Sequence, residues 1–376
     1  MEKYIGFDID SKKVIACAVQ KGEKEMYSTI AADVISMRRY LKKQKADGSR
    51  VHLTFEISGQ AGFIHDSLLD CVDTITISNP SKMTWIYRTA KKNDRLDSRK
   101  QAILLSIGEI PAVHMPSVEI RQWRNMILNR RKLVNNVTAV KNKIRAVLKS
   151  QGFARPMHRG SLWNRKNKGW LKSLLDSTPS ISLRTGPLTT YEAKVSSTGL
   201  WCMNLYDSLE QLELLEEQVK RVTMYLDSYL SSQAGGGLLM SIPGVGPRTA
   251  EAVLAYTDDV RRFGNSKEYC SYFGLTPRLD ESGTSRRLGH ISKLGPSVVR
   301  WVLCESSWKV IRKSKGLRAF YERVMSNGQS GRKKIAIVAV CRRLLSIMRA
   351  MMLTGEMFNE ELVRRECGDE QVRKAS

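Results

Sequence analysis

The feature that most constrains the fold is a change of pattern after residue 107. Up to that point short apolar runs typical of strands alternate with helical segments, which indicates a mixed sheet covered by helices. The predicted strands are Tyr4–Ile9, Val14–Gln20, Val51–Phe55 and Thr74–Ile77, and the predicted helices are Val34–Lys43, Gly62–Leu69 and Ser98–Ile107. A lysine-rich turn at Lys21–Lys24 indicates a hairpin between the first two strands.

Long helices dominate the sequence after residue 117. Apolar residues recur at helical spacing from Val118 to Lys149, and again on a three–four pattern from Leu205 to Leu230. Between them lies a basic segment, Arg155–Lys172, which carries Trp163 and Trp170 and is predicted to be irregular. Two such helices around a basic linker predict an antiparallel helical hairpin or a dimerising coiled coil.

The remainder of the chain is predicted to be all-helical after a linker at Ser231–Gly237. The predicted helices are Pro247–Tyr256, Ser266–Phe273, Pro296–Lys313, Gly316–Ser326 and Lys333–Leu353. A charged tail after Gly355 is expected to fray. The fold class is therefore α/β plus all-α, with an α/β domain at 1–117, a coiled-coil and basic helical region at 118–232, a helical domain at 233–355 and a tail at 356–376.

The excess of positive charge limits the possible partners. The 62 lysines and arginines outnumber the 37 acids, so the net charge is +25 and the pI is about 9.9. A compact protein with this charge repels itself, and it usually has a polyanionic partner. The charge is spread over several segments rather than gathered on one amphipathic anchor, so nucleic acid is favoured over a membrane surface.

Cysteine, histidine and apolar spacing exclude other classes. Seven scattered cysteines without a CxxC pair, and five histidines without a cluster, argue against a zinc site and a disulfide framework. The apolar stretch Ile335–Leu353 is interrupted by three arginines and cannot span a bilayer. No apolar leader segment follows Lys3. We expect a soluble protein of the cytoplasm or the nucleoid.

Four acidic residues stand where a metal site could form. Asp8 ends the first strand, Glu56 directly follows the run that ends at Phe55, and Asp94 and Asp97 lie three residues apart at the start of a helix. Carboxylates at strand ends together with a helical pair suit two magnesium ions, which prefer oxygen ligands and assist phosphodiester chemistry. Two alternatives remain open: Asp10 competes with Asp8, and the helical pair could simply cap its helix.

The segment Ser241–Ala250 is similar to a helix-hairpin-helix element. Gly244 and Gly246 would let backbone N–H groups approach a phosphate, and Arg248 follows at the start of a helix. The alternative is a glycine turn between two packed helices. No lysine stands where a Walker A motif needs one, so ATP binding is not expected.

A hydroxyl- and glycine-rich segment between residues 281 and 295 completes the candidate chemistry. It is predicted to be a loop between helices, and its spacing cannot choose a nucleophile among Ser282, Thr284, Ser285 and Ser292. By composition alone, each of them fits a turn residue or a phosphate contact better than a nucleophile. Basic residues around it and on the long helices are candidate nucleic-acid contacts, with a solvated surface as the alternative for the helical ones. They are Arg278, Arg286, Arg287, Lys293, Arg130, Arg131, Lys141, Arg145, Lys166 and Lys168.

Taken in order, the motifs of nearly the whole chain resemble the IS110 family of insertion-sequence transposases, relatives of Piv-type DNA invertases. The N-terminal motifs are Gly6-Phe7-Asp8, Glu56-Ile57-Ser58-Gly59, Asn79-Pro80 and Asp94-Arg95-Leu96-Asp97-Ser98. The C-terminal motifs are Ile242-Pro243-Gly244-Val245-Gly246, Tyr272-Phe273-Gly274-Leu275-Thr276-Pro277 and Glu281-Ser282-Gly283-Thr284-Ser285. Asn93 replaces the usual threonine before the acidic pair, and Ser98 replaces alanine.

The resemblance implies a RuvC-like RNase H fold for the first domain, a coiled-coil insertion and a helical transposase domain. It also implies that Asp8, Glu56, Asp94 and Asp97 bind magnesium and that Ser282 is the nucleophile. The implied partners are double-stranded donor and target DNA, a structured guide RNA called the bridge RNA, and further copies of the chain in a dimer or tetramer. The bacterial or archaeal cytoplasm is the implied location.

The leading hypothesis is therefore DNA strand exchange through a covalent phosphoserine. A RuvC-like nuclease that hydrolyses junctions with metal-activated water is the rival enzyme, and it would not require Ser282. A nucleic-acid-binding architectural protein with a vestigial acidic set is the non-enzymatic alternative.

Overall fold

The computed structural model describes residues 1–83, 93–153, 156, 158–176, 200–282, 285–326 and 332–363, and at 279–282 and 285–288 it describes the backbone alone. The chain forms two compact units, Met1–Val118 and Glu119–Ser376. The finer division of the second unit at residues 232 and 355 stays a prediction. No helix among the described residues is long and apolar enough to cross a membrane.

A mixed sheet forms the centre of the first unit and confirms the predicted α/β class. Among the described residues it has six strands in the order β3-β2-β1-β4-β5-β6. They are β1 (Glu2–Ile9), β2 (Lys13–Gln20), β3 (Met26–Ala31), β4 (Arg50–Glu56), β5 (Thr74–Ser78) and β6 (Ala112–Val113). β1 runs antiparallel to β2 and β2 to β3, whereas β4 is parallel to β1 and β5 to β4; β6 is antiparallel to β5.

Two strands and one turn differ from the prediction. β3 and β6 were not predicted, and the turn at Lys21–Lys24 joins β2 to β3 rather than β1 to β2. The β1–β2 hairpin closes within three residues, because the Asp10 N–H donates to the Lys13 carbonyl at 3.0 Å. β3 was missed because its burial pattern alternates between exposed and half-buried, without an apolar face to signal a strand.

Helices cover both faces of this sheet. α1 (Val34–Lys45) and α2 (Ala61–Leu68) share a core with Ile5 and Phe7 on one face. α3 (Asp94–Ser106) lies on the opposite face, directly over Gly6. A Cβ on Gly6 would be 2.1 Å from the Ser98 carbonyl oxygen and 2.8 Å from the Ala102 nitrogen. Only glycine therefore allows α3 to approach β1 this closely.

Gly6→Ala is expected to destabilise the first unit by about 3 kcal/mol, because backbone atoms of α3 would have to move away from the sheet. The measurement is the free energy of unfolding from urea titration. Gly59→Ala is the matched control, since nothing lies within 4 Å of the position its Cβ would take. Equal stability of the two variants would contradict this packing.

A pair of long antiparallel helices begins the second unit and confirms the predicted helical hairpin. They are α4 (Val118–Ser150) and α6 (Leu200–Ser231). Ile144 packs in one core cluster with Leu205 and Leu212, whereas Ile127, nearer the start of α4, shares another with Leu226, nearer the end of α6. The hairpin is thus formed within one chain.

The segment predicted to be irregular contains a helix, α5 (Arg165–Asp176). Asn164 accepts a hydrogen bond from the Asn167 N–H at 2.8 Å just before it, and Leu171 is fully buried against the two long helices. The three–four spacing of Trp170, Leu171 and Leu174 is the helical signal that the basic residues obscured.

The rest of the second unit is mainly helical, as predicted. Its helices are α7 (Ala234–Met240), α8 (Pro247–Thr257), α9 (Ser266–Tyr272), α10 (Ser297–Lys313), α11 (Lys315–Ser326) and α12 (Lys333–Thr354). The linker prediction was wrong, because α7 begins within Ser231–Gly237. A Cβ on Gly235 would lie 2.6 Å from a Leu254 methyl, and one on Gly236 would lie 2.7 Å from the Leu230 carbonyl. These glycines provide close packing rather than flexibility.

The all-helical prediction was also wrong between residues 277 and 291. A β-hairpin of β7 (Pro277–Ser282) and β8 (Ser285–Ile291) interrupts the helices there. Its register pairs Glu281 with Arg286 and Asp280 with Arg287. Apolar periodicity does not detect these strands, because most of the paired positions are occupied by polar and charged residues.

Candidate functional site

Asp8 and Glu56 lie side by side at one edge of the first sheet. The register that pairs Phe7 with Phe55 puts Asp8 level with Glu56, on neighbouring parallel strands about 4.8 Å apart. Successive residues of a strand point to opposite faces, so Asp8 lies on the same face as Gly6, the face that α3 covers. Both acids are half-buried, and both have polar or charged partners.

The other two acids lie in the first turn of α3, on that same face. Asn93 is the N-cap, because its side-chain oxygen accepts from the Arg95 N–H at 3.1 Å. Asn93, rather than Asp94 or Asp97, is therefore the residue that caps the helix. Negative charge in the first helical turn is favoured by the helix dipole. Arg99, one turn further on, forms an ion pair with Glu25 at 2.7 Å instead of facing the acids.

Asp10 differs from Asp8 in its position and partners. It is exposed in the turn beyond β1, and its carboxylate accepts a hydrogen bond from the Ser11 N–H at 2.7 Å. Asp8, in contrast, belongs to the strand ladder opposite Ile15. The geometry favours Asp8 as the strand-end acid next to Glu56.

A lysine that the sequence analysis did not single out joins the acids. Lys13 Nζ donates to Asp94 Oδ2 at 2.8 Å, and the charges of Asp8 and Asp10 are close enough to act on it. The hydrogen bond and charge of Asp94 raise the Lys13 pKa, with smaller contributions from the two other acids. A signal existed in the sequence: had the β1–β2 turn been assigned to Asp10–Lys12, Lys13 would have fallen at this edge.

The residues at this edge fit a divalent cation by donor type. Ser78 on β5 is the register partner of Glu56, so it lies beside the two strand-end acids. Its buried Oγ has no hydrogen-bond partner among the described residues. Oxygen donors are the ligands that hard cations prefer. In the described part of the chain, no three acidic, histidine or cysteine side chains stand close enough together to hold a metal ion. Carboxylates repel one another unless a cation lies between them, and Lys13 supplies a positive charge here.

Ser282 is the last residue of β7, at the end of the hairpin remote from the flanking helices. The register pairs it with Ser285, the first residue of β8. Ser292 lies beyond β8, and its Oγ is buried without a hydrogen-bond partner among the described residues. Thr284 lies outside the described residues. The hairpin thus sets Ser292 apart from Ser282 and Ser285.

The hairpin joins the helices at a tightly built base. Gly274 has φ +68°, and a Cβ there would be 1.9 Å from the Leu294 carbonyl oxygen. Arg300 Nη1 donates to the carbonyls of Phe273, Leu294 and Gly295, so it holds the base together rather than facing outwards. These contacts fix where the hairpin leaves the helical core.

The predicted basic residues around the hairpin are placed only in part. Arg278 is exposed on β7, and Lys293 is exposed just after β8 with φ +54°. Arg286 and Arg287 occupy consecutive positions of β8, where only the backbone is described.

The two glycines of the element before α8 differ in their surroundings. Gly244 has φ +105°, and a Cβ there would be 2.8 Å from the Val310 nitrogen on α10. This agrees with the alternative of a glycine turn between packed helices. Gly246 has open space around it and is the N-cap residue of α8. Of the two, Gly246 alone has room for an approaching phosphate.

Arg248, predicted to contact nucleic acid, belongs to an internal ion-pair group. It pairs with Asp227 and with Glu251, the latter at 3.1 Å. Glu251 is 2% exposed, and this burial raises its pKa to about 7, against the opposing charges of Arg248 and Arg130. The negative charge of Asp227 also raises the pKa of Glu251.

We expect the stability of the second unit to fall as the pH rises from about 5 to 8. The pKa of Glu251 is raised from about 4.5 to about 7, so the folded state binds more protons than the unfolded state in this window. The stabilisation is complete below the unfolded pKa and is lost as the pH rises through the folded one, by roughly 3 kcal/mol. Urea unfolding at several pH values measures this slope.

Glu251→Gln should flatten the slope, since the titrating group is gone. Glu305→Gln, at an exposed position of α10, is the matched control and should keep it. An unchanged slope in Glu251→Gln would mean that another group titrates.

The basic residues of the helical hairpin have partners within the unit. Lys141 and Lys168 both pair with Glu216, at 2.8 and 2.7 Å. Arg145 donates to Asn142 and lies over the ring of Trp163. Arg130 donates to Thr223 Oγ1 at 2.7 Å, and Arg131 lies over the ring of Trp301. Lys166 is exposed on α5. Apart from Lys166, these side chains stabilise the unit, whatever else they bind.

Comparison with known proteins gives consistent similarities over most of the chain. A model described as the IS116/IS110/IS902 transposase family matches residues 236–322, and a transposase model of the DEDD type matches residues 5–152. A "Probable family 20 transposase" of Pseudomonas aeruginosa is 24% identical over 69% of this chain and 71% of its own length. The transposase for insertion sequence element IS1111A of Coxiella burnetii is 28% identical over 72% of this chain and 70% of its own. The pilin gene-inverting protein of Moraxella lacunata is 32% identical over 42% of this chain and 47% of its own.

Proposed function

Because this chain belongs to the IS110 family of transposases, enzymes that act on DNA, we propose that it catalyses RNA-guided DNA strand exchange for insertion-sequence mobility. In this proposal Ser282 forms a covalent link with the DNA. The acids Asp8, Glu56, Asp94 and Asp97 act with it at the scissile phosphate.

The observation that carries the proposal is the shared location of the acids in the first unit. Asp8 and Glu56 end neighbouring parallel strands, on the face where the first turn of α3 presents Asp94 and Asp97. The strand order, with β2 and β3 antiparallel on one side of β1 and β4 and β5 parallel on the other, supports a RuvC-like RNase H fold.

In the proposed reaction, the Ser282 Oγ gives up its proton and attacks the phosphorus of a DNA phosphodiester. The new Oγ–P bond replaces a P–O bond to the DNA strand, and the leaving oxygen takes up a proton. A hydroxyl end of another strand then attacks the same phosphorus, and Ser282 leaves with its proton restored. One P–O bond forms for each one broken, so the reaction needs no ATP, in agreement with the missing Walker A lysine.

Asp8, Glu56, Asp94 and Asp97 would hold magnesium, with two ions proposed, and bound magnesium supplies positive charge to the scissile phosphate and its leaving oxygen. The strand register fixes the spacing of Asp8 and Glu56. Asp94 and Asp97 lie in the first turn of α3, the end of the helix where its dipole attracts negative charge. Lys13 balances the negative charge of this edge and competes for Asp94.

The proposed partners follow from the charge and from the family. A net charge of +25 suits contact with the phosphate backbones of nucleic acids. The protein need not read the base sequence of the DNA if an RNA pairs with that DNA. The partners are donor and target double-stranded DNA and a structured bridge RNA. Two cuts must be coordinated, so the active form is a homo-oligomer, a dimer or tetramer. The α4–α6 hairpin is the proposed assembly element.

The full chain, purified with the RNA that accompanies it, tests the proposal when incubated with donor and target DNA and magnesium. Sequencing across the products should find new joints between the two DNAs. Ribonuclease treatment should abolish the joints, and adding back the RNA should restore them. Nicks or breaks without joints would instead identify a RuvC-like junction nuclease and overturn strand exchange.

A further inference from the structure

A small cavity in the second unit has no part in the chemistry proposed above. It lies between α4, α8 and α10 and has a volume of about 140 Å³. Ile127 and Val302 give it an apolar, buried side. An apolar cavity of about 150 Å³ can hold one benzene ring, whereas pockets for free small molecules measure roughly 300–1,000 Å³. The cavity is thus sized for one ring-like group of a larger partner.

An exposed aromatic ring and a guanidinium form one wall of this cavity. Trp301 on α10 is 46% exposed, although it is large and apolar, and it belongs to the cavity lining. The Arg131 guanidinium carbon lies 5.2 Å from the centre of the Trp301 ring. A flat group that enters the cavity can therefore stack on an indole and a guanidinium, both of which bind the faces of nucleobases.

The polar lining attracts negative charge. Arg130, Arg131 and Arg248 face the cavity together with one acid, Glu251, so the lining carries two net positive charges when Glu251 is ionised. Glu251 is 2% exposed, and its Oε2 makes no hydrogen bond among the described residues despite the ion pair with Arg248. Burying this acid with an incompletely satisfied oxygen costs free energy.

We propose that this cavity binds a single unpaired nucleotide of a nucleic-acid partner, with the base stacked on Trp301 and the adjoining phosphate near Arg130, Arg131 and Arg248. This rests on the proposed function in one respect, namely that the partner is nucleic acid. A base inside a duplex has its faces covered by its neighbours, so only an unpaired nucleotide can present a free face to Trp301. Asn135 at the rim offers an amide for the edge of the base.

Binding of fluorescein-labelled oligothymidylate and of a duplex of equal length to the full chain tests this site. The measurement is fluorescence anisotropy in EDTA, so that no strand is cut. Trp301→Leu should weaken oligothymidylate binding by about tenfold, within the range of one lost stacking contact, and should leave duplex binding within twofold. Trp301→Phe, which keeps an aromatic face, should retain most of the affinity.

Trp308→Leu is the matched control, because Trp308 lies on the same helix and packs against Tyr321 instead. It should bind both nucleic acids as the wild type does. Equal binding by Trp301→Leu and the wild type, or equal weakening for single strand and duplex, would overturn the nucleotide site while leaving strand exchange intact. Failure of the wild-type chain to bind any nucleic acid would overturn the proposed function as well.

A second readout locates the contact directly. Irradiating the wild-type chain with an oligonucleotide that contains 5-iodouracil should attach it to Trp301, as mass spectrometry of the peptides would reveal. Attachment only to peptides outside α4, α8 and α10 would overturn the assignment.

Discussion

Ser282→Ala is expected to lower strand exchange by at least about a thousandfold, because removing a covalent nucleophile removes the route itself. The same variant should leave no protein–DNA product that survives denaturing electrophoresis. Its folding should be unchanged, since Ser282 lies at the end of the hairpin remote from the helical core. The measurement is the rate at which recombinant joints form, alongside the yield of covalent product.

Ser285→Ala is the matched control for this experiment. Ser285 is the cross-strand partner of Ser282 at the same end of the hairpin, and it carries the same hydroxyl group. We expect it to recombine within a few-fold of the wild-type rate. If Ser282→Ala recombined normally, or if Ser285→Ala alone lost activity, the nucleophile would have been assigned wrongly.

Asp8→Asn should reduce strand exchange on the order of a thousandfold, because it removes one negative charge from the edge that would hold magnesium. The substitution keeps the size of the side chain, and it also relieves repulsion from neighbouring acids, so thermal stability should stay equal or rise. Raising the magnesium concentration should recover part of the lost rate, since a weakened site binds the ion less tightly.

Asp10→Asn separates this effect from a general loss of negative charge. Asp10 lies two residues later, and its carboxylate serves the backbone of its own turn. We expect it to retain activity within a few-fold of the wild type. Normal activity in Asp8→Asn with loss in Asp10→Asn would reverse the assignment of the first acid.

The sequence predicted the acidic edge because it follows from strand ends alone. Asp8 and Glu56 each follow a short apolar run, and parallel strands bring their ends to one edge of a sheet. The sequence analysis missed Lys13, because it assigned the first hairpin turn to Lys21–Lys24. The error has a physical cause. The charged residues at Lys21–Lys24 are typical of a turn, whereas the turn that joins β1 to β2 consists only of Asp10–Lys12.

Other features depend on contacts between distant parts of the chain, which periodicity does not reveal. Gly235 and Gly236 are typical of a linker by composition. They are needed as glycines, however, because Leu254 and Leu230 pack too close to them for a Cβ to fit. Arg248 forms ion pairs with Asp227 and Glu251, partners that its position in the sequence did not indicate. The hairpin at 277–291 pairs mostly polar positions across its two strands, so its sequence has no continuous apolar face and was predicted to be a loop.

The assignment of Ser282 as the nucleophile depends on the family motif more than on geometry. Spacing left four hydroxyl residues open, and the structure sets only Ser292 apart from the tip of the hairpin. The choice of Ser282 over Ser285 therefore remains a prediction that chemistry must test.

The most direct test is to trap the protein–DNA product, digest it with trypsin and nuclease, and sequence the modified peptide by tandem mass spectrometry. Cleavage after Arg278 and Arg286 would release one peptide that contains both Ser282 and Ser285. The account predicts a nucleotide-bearing phosphate on Ser282 in that peptide. A phosphate linkage on any other residue, or complete recombination without a linked peptide, would contradict it.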